Sequence, residues 1–184
     1  MGDSFEGRLP IADMDTRHRG LTRAIAESYL EAARVCLSRH HESPVAFSVA
    51  DGDQPTKCFV SWEPPDARTQ GAWANDIDTT EAGAYCCGIA GIERARELFA
   101  VRRAETCTGA DYYVGAPGSG VDDLEDCLRL EVSGVDSGSR AAVMQRLAEK
   151  VQQARAGRSS LPAIAAVVGF AQGLIVMQDV QDGS

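Results

Sequence analysis

The amino-acid sequence predicts an α/β (α+β) fold in which a compact core follows an N-terminal helix and a β-hairpin. Two features support this prediction: apolar residues recur at helical spacing in three segments, and short β-branched or alternating runs bounded by turn residues lie between them. With 184 residues, of which 44% are hydrophobic, the chain can bury one core plus an accessory segment. We therefore divide it into a flexible N-terminus (1–20), a helix and hairpin extension (21–78) and a core (79–184).

The extension begins with an amphipathic helix. Ile25, Tyr29 and Cys36 are among the apolar residues that follow helical spacing over 21–39, where alanine and arginine also favour a helix. Alternating apolar residues on either side of the turn at Asp51-Gly52 then predict a β-hairpin over 45–62. The apolar faces of both elements should pack on the core or on a second copy of the chain, because they would otherwise remain in water.

The core is predicted to run helix, three strands, helix, strand, strand. The sequence Asp78-Thr79-Thr80-Glu81 has the form of a helix N-cap, and the apolar stripe behind it predicts a helix to about Leu98. The three strands are expected over 99–105, 111–115 and 128–135, and the second core helix over 139–156. Two short apolar runs, 163–170 and 174–178, are expected to be buried strands.

Composition disfavours several classes of protein. No apolar stretch is long enough to span a membrane and the first ten residues lack a signal peptide's apolar segment, so we expect a cytoplasmic protein that does not engage a membrane. The six cysteines form no Cys-x-x-Cys pair and the three histidines all lie early in the chain, which argues against structural zinc. The cysteines are expected to be reduced residues of the core.

The charge balance is acidic, with a formal net charge of −9, which argues against a general nucleic-acid coat. Only Lys57 and Lys150 are lysines, and the other basic residues are arginines, whose guanidinium can hold phosphate bidentately. A basic surface within an acidic protein is compatible with this composition.

Asp111 and Glu131 are the acids at the most informative positions. Asp111 opens the second predicted strand of the core, and Glu131 lies within the third. Because side chains alternate along a strand, Glu131 should share one face with Arg129 and Ser133, while the leucine and valine neighbours point into the core. We expect the face of Glu131 to be the wetter one, so that its carboxylate can serve a site.

Three short motifs in residues 79–170 belong together: Glu81 on the first core helix, Gly109-Ala110-Asp111 at the second strand and Leu130-Glu131-Val132-Ser133 on the third. With Leu98-Phe99-Ala100-Val101-Arg102, they resemble the PD-(D/E)xK nuclease superfamily and are most similar to archaeal Holliday-junction resolvases. The resemblance implies a restriction-endonuclease-like core and a Mg²⁺- or Mn²⁺-dependent DNA endonuclease. It implies that Asp111, Glu131 and the Val132 carbonyl hold the ion. Glu81 would contribute from the helix.

The same resemblance implies a biological setting. Such a protein would act in restriction, anti-phage defence or DNA repair, as a homodimer or with a protein partner. The N-terminal helix and hairpin would then serve dimerisation or positioning of the DNA.

The chain departs from that family at Ser133, which stands where the family has a lysine. That lysine orients the attacking water and stabilises negative charge at the phosphate. Lys150 is the candidate replacement, because at about 100° per residue it shares a helix face with Val143 and Leu147. Lys150 is therefore expected to point towards the sheet and to take part in catalysis.

Structural interpretations of the same residues stand beside these. The strand acids would then be exposed and paired with Arg103 or Arg129. Glu81 would cap its helix, and Lys150 would lay its stem along the apolar stripe.

Two other functions compete with an active nuclease. One is a nuclease-fold subunit without activity that binds protein or DNA in a larger complex, which the replacement at Ser133 favours. The other is an unrelated α/β enzyme with Cys107 or Ser133 as nucleophile, although no histidine follows either residue to act as base.

Overall fold

The structure is a computed structural model that describes residues 7–120, 122–157 and 159–180. Within these residues, seven strands form one mixed sheet, accompanied by four α-helices and a short 3₁₀ turn at Met14–Thr16. The strands are β1 (Val45–Asp51), β2 (Gln54–Val60), β3 (Phe99–Arg103), β4 (Tyr112–Gly115), β5 (Leu128–Val135), β6 (Ala163–Gly169) and β7 (Leu174–Val180). The helices are α1 (Arg23–His40), α2 (Ala67–Ala72), α3 (Asp76–Arg96) and α4 (Arg140–Arg155).

The strand order across the sheet is β2-β1-β7-β6-β5-β4-β3. β5 runs parallel to β6 and β1 parallel to β7, and the other neighbours are antiparallel. The chain crosses from β5 through α4 to β6, which is the connection that parallel neighbours require. The predicted α/β class and the predicted order of the elements from α3 onward are confirmed.

The predicted hairpin is formed by β1 and β2, and it continues the sheet of the core. β1 pairs with β7 from Ser48 to Asp51, so no gap separates the hairpin from the strands that follow. α1 packs on α3, and the apolar side chains of α1 and of the hairpin join the main hydrophobic cluster. The extension therefore packs on the core of its own chain.

Different helices cover the two faces of the sheet. α3 lies on one face with α1 beside it, and α4 lies on the other face. Gly88 allows α3 to approach β5 closely, because a Cβ at that position would lie 2.8 Å from Cγ1 of Val132. β5 is consequently covered on both faces, with Leu130 and Val132 towards α3 and Glu131 towards α4.

The start of α3 differs from the sequence expectation. Asn75 is the N-cap, and its side chain accepts hydrogen bonds from the backbone N–H groups of Ile77 and Asp78. Capping by Glu81 is therefore wrong, since that residue lies in the second turn of the helix. Ile77, in this first turn, is 78% exposed, and Glu81 separates it from the apolar stripe that begins at Tyr85.

The segment 7–20, expected to be a flexible N-terminus, instead spans the sheet from edge to edge. Leu9 N–H donates to the carbonyl of Phe59 at the β2 edge, and Gly20 N–H donates to the carbonyl of Ala100 at the β3 edge. Between these ends, the side chains of Leu9, Ile11 and Met14 are buried in the main core. The segment thus covers backbone groups at both edges of the sheet, where exposed strands invite aggregation.

The cysteines were expected to be residues of the core, and five of the six are buried. These five form no disulfides, and Cys107 is exposed. Among residues 7–120, 122–157 and 159–180, none of the helices has the length and apolar character needed to cross a membrane.

Candidate functional site

A cleft of about 1190 Å³ opens where β4 begins beside β5, bordered by α3 on one side and α4 on the other. The residues predicted from the sequence all line it, namely Glu81, Asp111, Glu131, Val132 and Lys150. Six acids and three basic residues line the cleft: Asp76, Glu81, Glu105, Asp111, Glu131, Asp136, Arg103, Arg146 and Lys150. This excess of carboxylates is suited to binding a cation.

Asp111 lies immediately before β4, and both of its carboxylate oxygens accept hydrogen bonds. Oδ1 accepts from the Tyr85 hydroxyl at 2.8 Å, and Oδ2 accepts from the Val132 backbone N–H at 2.8 Å. The side chain is 16% exposed, towards the cleft. Asp111 is thus fixed between α3 and β5 at the place where the pairing of β4 with β5 stops.

Glu131 lies on β5 and forms a buried ion pair. Its Oε1 accepts a hydrogen bond from Lys150 Nζ at 2.7 Å, and the two side chains are 5% and 18% exposed. Burial raises the pKa of Glu131 above its usual range, and the charge of Asp111 raises it further, while the Lys150 ammonium offsets part of the rise. The charge of Asp111 thus disfavours the charged form of Glu131, and both residues line the cleft.

The end of the β4–β5 pairing places Asp111 next to β5. The register ends at Tyr112 and Leu130, and beyond it the Asp111 N–H donates to the Leu130 carbonyl at 2.8 Å. In a strand, the N–H and C=O of one residue point to the same edge, so the Val132 carbonyl faces the side on which its N–H meets Asp111. The Asp111 carboxylate and the Val132 carbonyl thus lie on the same side of β5, and Glu131 lines the same cleft.

Lys150 points from α4 towards the sheet, as its helical spacing predicts. Its Nζ donates to Glu131 and, at 2.9 Å, to Oε1 of Gln153. Ser133 lines the same cleft. An ammonium group from α4 therefore reaches the Glu131 carboxylate.

Glu81 approaches the acid pair, which is Asp111 and Glu131, through Tyr85 and not directly. The two residues are one helical turn apart on α3, and the Tyr85 hydroxyl lies 3.2 Å from Glu81 Oε1 and 2.8 Å from Asp111 Oδ1. Burial, followed by the charge of Asp111, raises the pKa of Tyr85, so that the hydroxyl keeps its proton and remains a donor. Tyr85 was not identified from the sequence, because it appears there only as part of an apolar helix stripe.

The face of β5 that carries Glu131 is not the wetter one. Arg129 and Glu131 are only 3% and 4% exposed, because α4 covers them. Arg129 also does not pair with a strand acid: its guanidinium donates to the carbonyls of Thr108, Ala154 and Leu161 at 2.8–3.0 Å. Arg129 therefore ties the end of α4 to the loops beside the cleft.

We expect Arg129→Met to lower the free energy of unfolding by about 3 kcal/mol, because three hydrogen bonds from a buried cation are lost together. Urea denaturation measures this change. Arg140→Met is the matched control, because Arg140 is the exposed first residue of α4. Its free energy of unfolding should lie within about 0.5 kcal/mol of the parent's. Equal stability of the two variants would contradict a structural role for Arg129.

The oxygen ligands at the start of β4 are compatible with a hard divalent ion. Each oxygen of Asp111 accepts one of the two hydrogen bonds described above, and a carboxylate oxygen has two lone-pair sites. Within the part of the chain that the structure describes, no three histidine, cysteine, aspartate or glutamate side chains form a metal-binding group. An ion held by Asp111, Glu131 and the Val132 carbonyl would have to keep several waters, as Mg²⁺ usually does.

The arrangement gives no support to a cysteine or serine nucleophile. Cys107 and Ser133 both line the cleft, but none of the three histidines of the chain does. His18 is buried below β3, where its Nδ1 accepts from the Ala100 N–H and its Nε2 lies 2.8 Å from Glu93. No histidine therefore lies in the cleft to act as the base for either nucleophile.

Comparison of the chain with protein-family models, with curated proteins and with solved structures finds no match in any of the three. Function has to be inferred from the geometry of the cleft and from the resemblance of residues 79–170.

Proposed function

We propose that the protein is a metal-dependent DNA endonuclease of the PD-(D/E)xK type, which hydrolyses a phosphodiester bond in the cleft at the start of β4. The observation that carries the proposal is that Lys150 Nζ lies 2.7 Å from Glu131 in a cleft that Asp111 also lines. The acids and the cation of the proposed site come from a loop, a strand and a helix that are distant in sequence. The order α3, three strands, α4 and β6 is compatible with a restriction-endonuclease-like core.

Each residue then has a defined task. Asp111, Glu131 and the Val132 carbonyl would hold Mg²⁺ or Mn²⁺, which supplies a bound water of lowered pKa and Lewis acidity at the phosphate. Tyr85 would keep Asp111 oriented through its hydrogen bond, and Glu81 would be the second carboxylate within reach of the same hydroxyl. Lys150 would stabilise the negative charge that develops on the phosphate.

The charges in the cleft support a role for an ion. Asp111 raises the pKa of Glu131 although the Lys150 ammonium offsets part of the rise, so the two carboxylates interact unfavourably. The acids that line the cleft outnumber its basic residues, and a phosphate approaching it would be repelled unless a divalent ion offset the charge. Metal binding and substrate binding should accordingly be coupled.

A nuclease-fold subunit without activity, which binds protein or DNA in a larger complex, is the second candidate. It is favoured by Ser133 and by the bonding of Lys150, whose ammonium donates to both Glu131 and Gln153. In that case the ion pair would hold α4 on β5 and would serve stability alone.

Calorimetric titration with Mn²⁺ separates the two candidates without a substrate. We expect the parent to bind one Mn²⁺ per chain, and Glu131→Gln to weaken that binding by at least about tenfold, because a charged ligand is replaced by a neutral one. Binding should also weaken as the pH falls through the raised pKa of Glu131, since protons compete with the ion.

Glu149→Gln is the matched control for this titration. Glu149 lies on α4 one residue before Lys150, it is 50% exposed, and its carboxylate pairs with Arg146. The control should bind Mn²⁺ as the parent does. A parent that binds no Mn²⁺ would favour the subunit without activity.

A further inference from the structure

Arg103 projects from the end of β3 into the same cleft, and its guanidinium is held by tyrosines. Its Cζ lies 4.7 Å from the centroid of the Tyr85 ring and 4.8 Å from that of the Tyr112 ring. Nη2 donates to the Tyr85 hydroxyl at 3.1 Å, and Nη1 lies 3.5 Å from the Tyr29 hydroxyl. Aromatic faces and hydroxyl oxygens therefore orient this cation without neutralising its charge.

Arg103 differs in this respect from many arginines of the protein. Arg103 Nη2 forms an ion pair with Oδ1 of Asp111, but at 3.7 Å the contact is too long for a hydrogen bond. Six other arginines of the described chain hold a carboxylate oxygen at 2.5–3.2 Å: Arg17, Arg23, Arg39, Arg96, Arg102 and Arg146. The Arg103 side chain is 49% exposed, so donors of its guanidinium remain accessible from the cleft.

The position of Arg103 complements that of Lys150. Arg103 contacts Tyr85 on α3, whereas Lys150 belongs to α4 on the opposite face of the sheet. The acid pair Asp111 and Glu131 thus has a cation on either side, next to Asp111 in one case and Glu131 in the other. Both cations line the cleft in which an anion would bind.

We infer that Arg103 forms a phosphate subsite that holds a backbone phosphate of DNA beside the acid pair, an inference that rests on the proposed nuclease function. Arginine is suited to this task because its planar fork binds two phosphate oxygens at once. The tyrosine rings fix the fork before the substrate arrives, which reduces the entropy lost on binding. Arg103 is not a metal ligand, and its contribution is to substrate binding.

The experiment measures the binding of a fluorescein-labelled DNA duplex by anisotropy, with Ca²⁺ in place of Mg²⁺, over a range of salt concentrations. We expect Arg103→Met to weaken binding by about tenfold or more and to reduce the slope of log K against log salt by about 0.9, the value for one phosphate contact. Arg103→Lys should keep the slope of the parent, because the charge remains, but should bind less tightly because the fork is lost.

Arg102→Met is the matched control. Arg102 is the neighbouring residue on β3, is 47% exposed, pairs with Glu105 and does not line the cleft. It should bind DNA within about twofold of the parent, and both methionine variants should retain the parent's Mn²⁺ affinity. Equal losses in the two variants, or an Arg103→Met variant with the parent's affinity and slope, would overturn the inference.

A second probe separates this inference from the nuclease proposal. If the parent binds no duplex, the proposed function fails. Binding of inorganic phosphate in the presence of Mg²⁺ is then followed by ³¹P NMR. Phosphate binding that is lost in Arg103→Met and kept in Arg102→Met would support the subsite on its own. A parent that binds neither DNA nor phosphate overturns it.

Discussion

Cleavage of DNA by the parent protein in the presence of Mn²⁺ is expected to fall by at least about a hundredfold in Asp111→Asn and in Glu131→Gln, because each change removes a charged ligand of the ion. A loss of this size corresponds to about 3 kcal/mol of barrier. Both substitutions keep the shape of the side chain, so folding should survive. In Asp111→Asn, the amide group retains one oxygen that can accept from the Val132 N–H.

Two control variants test whether removing a negative charge outside the cleft also lowers the rate of cleavage. Asp53→Asn changes an exposed aspartate in the turn between β1 and β2, and Glu149→Gln changes an exposed glutamate on α4. Both should cut at the rate of the parent. If the Asp111 and Glu131 variants also cut at that rate, the active site lies elsewhere or the activity comes from a contaminant.

Lys150→Met should reduce cleavage by about a hundredfold as well, because the cation that stabilises charge on the phosphate is lost. Lys57→Met, at an exposed position of β2, changes the only other lysine and should leave the rate unchanged. Full activity of Lys150→Met would remove Lys150 from the proposed mechanism.

The second large effect is on stability. Lys150→Met is expected to lower the free energy of unfolding at neutral pH by about 3 kcal/mol, because Glu131 would keep a buried charge without its partner. Glu131→Gln in the same chain should restore most of the loss, since no buried charge then remains. Urea denaturation of the parent, the two single variants and the double variant measures the coupling between the two side chains.

The same pair predicts a dependence on pH with a definite sign. The folded pKa of Glu131 is raised, so the folded state binds its proton more tightly than the unfolded chain does. The contribution of Glu131 to the free energy of unfolding is fully present below the ordinary glutamate pKa. It is lost as the pH rises through the raised pKa of Glu131 in the folded state. Removing Lys150 raises the Glu131 pKa further. The difference in free energy of unfolding between the parent and Lys150→Met should therefore grow with pH and be small in acid. A deficit independent of pH would contradict this account.

The local sequence pattern was sufficient to predict most of the helices and strands and the side of α4 on which Lys150 lies. Strand and helix periods depend on residues a few positions apart, and they predicted β3 to β7 and α4 with small errors at the ends. The face shared by Val143, Leu147 and Lys150 follows from the same spacing, which is why the lysine could be assigned to the sheet side before its partner was known.

Tertiary structure alone decided which elements are neighbours. The segment 7–20 has no helical or strand period, and its burial depends on edge groups of β2 and β3, which are far away in sequence. The wetter face assigned to Glu131 was wrong for a similar reason, since only the packing of α4 determines which face of β5 is covered. The contacts of Tyr85 with Asp111 and Arg103 also join three separate elements.

The sequence by itself therefore determined the α/β class, the order of the elements and the residues Asp111, Glu131 and Lys150 as candidates for one site. The tertiary structure decided that these residues line a common cleft, that Glu81 approaches Asp111 through Tyr85, and that Arg103 lines the same cleft with an exposed side chain. The physical reason is that periodicity specifies the face on which a side chain lies, whereas the distance between two faces depends on strand order and helix packing, which arise from contacts between distant residues.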